Sequence, residues 1–123
     1  MPRRQEEIAE FIRSSFPSIW SLELLLHLKK SPDAAQSEQN LIAALRASEA
    51  IAFSSIRALL AAGLIVEDDD NAVRYAPATA DLARLTDEAE DLYRKQPNKV
   101  RRIIVMGSDN LAAFAAAFKF RKD

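Results

Sequence analysis

Residues 48–76 constrain the fold more than any other stretch of the chain. Ser48 suits a helix N-cap, and residues 49–62 that follow are rich in Ala, Leu and Ile and contain neither Gly nor Pro. Gly63 then stands where a helix ends in a left-handed residue. Directly after it, Leu64-Ile65-Val66-Glu67 and Ala72-Val73-Arg74-Tyr75-Ala76 read as two short strands. They are joined by Asp68-Asp69-Asp70-Asn71, residue types that tolerate the left-handed backbone of tight turns. A helix running straight into a hairpin is therefore the expectation around which the rest is arranged.

Helices are expected on both sides of this unit. Over residues 5–15, Ile8, Phe11, Ile12 and Ser15 recur at helical spacing, with Glu6, Glu7, Glu10 and Arg13 opposite. Pro17 breaks this helix and Ser18 can cap the next, residues 19–30, which is apolar around most of its circumference. Such a helix is central to the core, or shared between the core and a subunit interface. Its terminal Lys29-Lys30 suits the negative end of the helix dipole. Residues 31–36 read as a loop. A helix over 37–46 with Leu41, Ile42 and Leu45 inward, the short turn Ala47-Ser48 and the helix 49–62 have helix-turn-helix proportions. On the second of these, Ile51, Ala52, Ile56, Leu59 and Leu60 should face the core. Glu49, Ala50, Phe53, Ser54 and Arg57 should face outward.

Beyond the hairpin, Thr79 caps a long helix to about Gln96. In it Leu82, Leu85, Ala89 and Leu92 form a seam spaced 3, 4 and 3 apart, flanked by Asp81, Asp87, Glu88, Glu90 and Asp91. Two heptads are too short for an independent coiled coil, so the seam packs on its own domain or on a second subunit. After Pro97, Lys99, Arg101 and Arg102 alternate with Val100, Ile103, Ile104 and Val105. The β-branched density leaves helix and strand both open for 99–106. A last helix is expected from Ser108 to Lys122, with Leu111, Phe114, Ala115 and Phe118 on one face. The expected class is mainly α with a small β-hairpin, in one domain over residues 1–123 with a single core.

A helix ending in Leu59-Leu60-Ala61-Ala62-Gly63-Leu64-Ile65, preceded by a helix-turn-helix and followed by a hairpin, resembles the winged helix-turn-helix superfamily of the MarR, ArsR and PadR type. The resemblance covers about residues 19–76, with helices added on the N-terminal side and a C-terminal helical extension over 79–122. It implies a dimeric transcriptional regulator that binds double-stranded DNA. Ser48, Ser54, Arg57 and Arg74 would contact DNA, Ser54 and Arg57 near the bases and Arg74 near the backbone, and the dimer would form through Leu82, Leu85 and Leu92. Among the polar residues of that helix, Ser48, Ser54, Ser55 and Arg57, only Arg57 can make the bidentate contact to guanine.

Charge argues in another direction. Residues 1–93 carry nine Lys/Arg against sixteen Asp/Glu, a net −7. Residues 94–123 carry eight against two, a net +6, which together give the −1 of the whole chain. Within 46–76, Arg46, Arg57 and Arg74 face Glu49, Glu67, Asp68, Asp69 and Asp70, a net −2. Phosphate affinity comes from clustered cations, so an acidic hairpin tip repels the backbone it would approach. The basic cluster Arg94, Lys95, Lys99, Arg101 and Arg102, with Lys119, Arg121 and Lys122, is the one expected phosphate-binding surface, unless it pairs with the acidic 81–91 helix. The same charges support an alternative: a protein-interaction or adaptor module whose Phe53, Glu49 and acidic hairpin contact a basic protein partner.

Catalysis has no evident machinery. There is one histidine, His27, in an apolar helix, and no cysteine, so neither the usual nucleophilic dyads and triads nor a Cys or multi-His metal site can be assembled. With Gly only at 63 and 107, no Gly-rich phosphate loop exists. The Asp68–Asp70 cluster lacks the ligand spacing of a calcium loop. The expectation is therefore a non-enzyme without metal or cofactor. With no apolar run of membrane-spanning length and no signal-peptide pattern, it is expected to be cytoplasmic and without membrane association.

Overall fold

A computed structural model describes residues 2–106, with side chains from residue 5 onward. The chain forms α1 (Pro2–Ser15), α2 (Ile19–Lys29), α3 (Glu38–Leu45), α4 (Glu49–Ala61), β1 (Ile65–Glu67), β2 (Val73–Tyr75) and α5 (Ala80–Lys95). Residues 97–106 form a further helix, α6. The helix expected over 108–122, with Lys119, Arg121 and Lys122, lies outside the described residues.

Hydroxyl caps fix where four of these helices begin. The side chains of Ser18, Ser37, Ser48 and Thr79 accept from the backbone N–H groups of Ser21, Asn40, Ile51 and Leu82 at 3.0–3.2 Å. Each satisfies a donor that the first helical turn leaves unpaired. Helix ends are equally legible at Gly63, which takes φ +76°. Arg46 also adopts a left-handed conformation, φ 55°, at the C-cap of α3 and so turns the chain from α3 into α4.

The core is built around α2. Leu22, Leu24, Leu25 and Leu28 are all buried, and the helix packs against α3, α4 and β2. Phe11 and Ile12 of α1, Leu41 of α3, Ile56 and Leu59 of α4, Leu64, Ile65 and Val73 complete the cluster. Phe16 is buried as well, its ring meeting Phe11 edge-on at 5.7 Å. Within α6, Val100 and Ile104 are buried while Arg101 and Arg102 are exposed. Burial four residues apart is helical, whereas a strand would have turned Arg102 to the same side as Val100 and Ile104.

β1 and β2 pair antiparallel, with Ile65 opposite Tyr75, Val66 opposite Arg74 and Glu67 opposite Val73. Gln36, in the segment expected to be plain loop, bridges to the other side of β2. Its N–H donates to the Val73 carbonyl at 2.8 Å and its carbonyl accepts from the Val73 N–H at 2.9 Å. The half-buried His27 ring nitrogen lies 3.2 Å from the Gln36 side-chain oxygen, so α2 holds this segment in place.

The seam of α5 is turned onto the chain's own core. Leu85 and Ala89 are buried, while Leu82 and Leu92 are half-buried against the same cluster. Ion pairs reinforce this placement. Lys29 of α2 reaches Asp87 at 2.9 Å and Glu90 at 2.7 Å; Arg84 joins Asp81 and Glu88 to Glu7 of α1. The Tyr93 hydroxyl donates to Glu23 of α2 at 2.8 Å. No helix among the described residues is long and apolar enough to cross a membrane.

Candidate nucleic-acid interface

Helix α4 buries Ala52, Ser55, Ile56 and Leu59, with Ile51 and Leu60 half-buried beside them. The opposite stripe, Glu49, Ala50, Phe53, Ser54, Arg57 and Ala61, is exposed. This is the division that the 3.6-residue period requires. Ser48 is exposed at the head of the helix, where its hydroxyl is engaged as the cap. Ser54 donates to the Ile51 carbonyl at 3.2 Å. Ser55 is a correction: it lies between Ala52 and Ile56 on the inner face, its hydroxyl buried without a hydrogen-bond partner, and contributes nothing to the surface.

The hairpin presents Arg74 on its outer face, beside Val66. Its tip is ordered by Asp68. The carboxylate accepts from the N–H groups of Asp70 at 2.9 Å and Ala72 at 3.0 Å, the Asp68 N–H donates to the Ala72 carbonyl, and Asn71 takes φ 65°. A turn closed by a left-handed residue is a common three-residue hairpin loop. Asp68 is thus a structural residue of the turn, while Asp69 and Asp70 stand exposed.

Between the hairpin and α4 lies a hollow of about 430 Å³ lined by Glu38, Phe53, Ile56, Arg57, Glu67 and Asn71. Glu38 comes from the first turn of α3 and Glu67 from the end of β1. Glu67 belongs to the acidic hairpin already evident in the sequence, whereas Glu38 escapes a sequence reading because only the fold brings residue 38 to residue 57. Among the described residues, neither Arg57 nor Arg74 forms an ion pair.

The basic cluster is placed elsewhere. Arg94 and Lys95 both pair with Asp91 on their own helix at 3.1 Å. Their hydrogen bonds, Lys95 first and Arg94 second, hold the Asp91 carboxyl below the usual carboxylate range. The Arg101 guanidinium lies 5.9 Å from the centre of the Tyr93 ring. It lines a separate hollow with Ile19, Trp20, Glu23, Ala44 and Leu45, at the C-terminal end of α3. Lys99 and Arg102 are exposed and form no ion pair among the described residues. Ser54, Arg57 and Arg74 thus sit around one helix and hairpin, and Arg101 at the other end of α3.

Among the described residues, no group of three or more His, Cys, Asp or Glu side chains is placed to hold a metal ion. No protein-family model, no curated protein and no solved structure matches the chain.

Proposed function

We propose that this chain is a winged-helix transcriptional regulator that binds double-stranded DNA through α4. One observation carries the reading: α4 follows α3 across a tight turn, runs into the hairpin, and exposes a stripe with Ser54 and Arg57 clear of the core. The bridge from Gln36 to β2 adds support, because a short strand segment before the helix pair braces the hairpin beside α4. In this reading Arg57 contacts a base edge, Arg74 the sugar-phosphate backbone, and the head of α4 at Ser48 points toward phosphate. With few cations on this face, affinity is weak and its dependence on salt shallow, because the slope scales with the number of phosphates contacted. As a homodimer, the regulator draws on what α5 leaves uncovered, Leu82 and Leu92.

The test is fluorescence anisotropy with a duplex taken from upstream of the reading frame and with random duplex, over a range of salt. Binding at about 20 mM salt that weakens toward about 200 mM is expected, with preference for the upstream duplex. Arg57→Ala should abolish that preference. Absence of binding at the lowest salt overturns the reading. Loss of binding only on neutralising residues 94–102 would move the contact to the α5–α6 surface.

A further inference from the structure

The acidic residues of this chain meet two different fates. Every carboxylate flanking the α5 seam is paired: Asp81 and Glu88 with Arg84, Asp87 and Glu90 with Lys29, and Asp91 with Arg94 and Lys95. In the lining of the hollow between α4 and the hairpin, Glu38 and Glu67 form no ion pair among the described residues, and neither do Glu49 at the head of α4 or Asp69 and Asp70 at the hairpin tip. Arg57 lines the same hollow without closing onto either Glu38 or Glu67. Phe53, 58% exposed, and Ile56 share the lining with them. An aromatic ring left in water beside two unpaired carboxylates lacks a partner of matching chemistry.

We propose that this hollow docks an arginine-bearing segment of a partner protein. The arginine stem lies on the Phe53 ring and Ile56, its guanidinium sits between the Glu38 and Glu67 carboxylates, and neighbouring basic residues of the segment meet Asp69 and Asp70. Each part has a physical reason. Guanidinium groups stack on aromatic faces and pair bidentately with carboxylates, which a lysine ammonium does less well. An apolar anchor flanked by complementary charge is what gives a small interface both affinity and orientation. Phosphate, by contrast, meets the Glu38 and Glu67 carboxylates here against the single cation Arg57 in the lining. The inference competes with the DNA-binding reading for the face that carries Arg57, and the duplex titrated alongside the peptides tells the two apart.

The experiment is an NMR titration of the full chain with a blocked decapeptide containing four arginines and two leucines. A version with Arg replaced by Lys, one with Arg replaced by Glu, and a random DNA duplex are titrated alongside. Saturable shifts in the amides of Phe53, Arg57, Glu67 and Asn71 are expected with the arginine peptide, several-fold weaker binding with the lysine version, and none with the glutamate version. Phe53→Ala should weaken binding about threefold and Glu67→Lys roughly tenfold. Both positions are exposed, and unchanged Leu64 and Val73 amide signals report that the fold is retained. The proposal fails if the arginine peptide leaves these amides unmoved at about 1 mM. It fails equally if lysine and arginine peptides bind alike, if Phe53→Ala has no effect, or if the duplex occupies the hollow more tightly than the peptide.

Discussion

At the scale of single residues, the backbone and one buried hydroxyl make the sharpest demands. Ser55 is 2% exposed and its hydroxyl has no partner, so folding strips it of water without return. An unsatisfied buried hydroxyl costs about 1–3 kcal/mol, and Ala is also the better helix former. Ser55→Ala should therefore stabilise the protein by about 1 kcal/mol in urea denaturation; a loss of stability would show that the hydroxyl is engaged. Gly63 and Arg46 form a complementary pair, since both hold left-handed φ. Gly63→Ala should cost about 1–2 kcal/mol and Arg46→Gly should add about 1 kcal/mol by the same measurement, because only glycine occupies that region without a Cβ clash. The two differ in how far sequence could reveal them. A glycine after an apolar helical run announces a helix end, whereas nothing in an arginine announces a left-handed cap. Ser55 was decidable from spacing alone, since Ala52, Ile56 and Leu59 place it on the buried face.

At the scale of elements, the helices and the hairpin were legible because hydroxyl caps, one glycine and a 3.6-residue pattern coincide. The Gln36 bridge was not, because a single paired residue carries no alternation to detect. α6 stayed undecided between helix and strand because its basic and β-branched residues fit both periods; packing of Val100 and Ile104 on the core decided it. The hairpin shows how one sequence feature can hold two roles. The three aspartates of the tip look equivalent as a charge run, yet Asp68 accepts two backbone N–H groups while Asp69 and Asp70 face solvent. Asp68→Ala should destabilise the protein by about 1 kcal/mol. Changing Asp69 and Asp70 together to Asn should stay within about 0.5 kcal/mol. Equal losses in the two variants, read from urea midpoints, would contradict a turn held by Asp68. The candidate interface was legible only in part, for the same reason. Arg57, Phe53 and Ser54 follow from helical phase, but their neighbours Glu38 and Glu67 depend on how α3 and β1 come together.

At the scale of the whole molecule, charge among the described residues divides into local pairing along α5, exposed Lys99 and Arg102 on α6, and an acidic hairpin without ion pairs. α5 is bound to α1 and α2 by Arg84, Lys29 and Tyr93, and its leucine seam is divided between buried and half-buried positions. That division changes what a test of dimerisation can report. Leu85 is 8% exposed within the core cluster, so Leu85→Glu places an unpaired carboxylate in apolar surroundings. Burial of an isolated charge costs several kcal/mol, a large share of the roughly 5–15 kcal/mol that holds a domain of this kind together. Leu85→Glu should therefore lower stability by more than about 3 kcal/mol whether or not a dimer exists. Leu82→Glu and Leu92→Glu, half-buried against the same core, should cost less stability than Leu85→Glu and leave the fold intact, so that their mass reports on association. Light scattering combined with urea denaturation separates the cases. A dimer paired through α5 loses half its mass in the Leu82 and Leu92 variants while keeping its helical signal. A wild-type monomer, or variants that keep the dimer mass, would place any pairing away from this helix. A Leu85→Glu protein as stable as the wild type would contradict the packing of α5 on its own core.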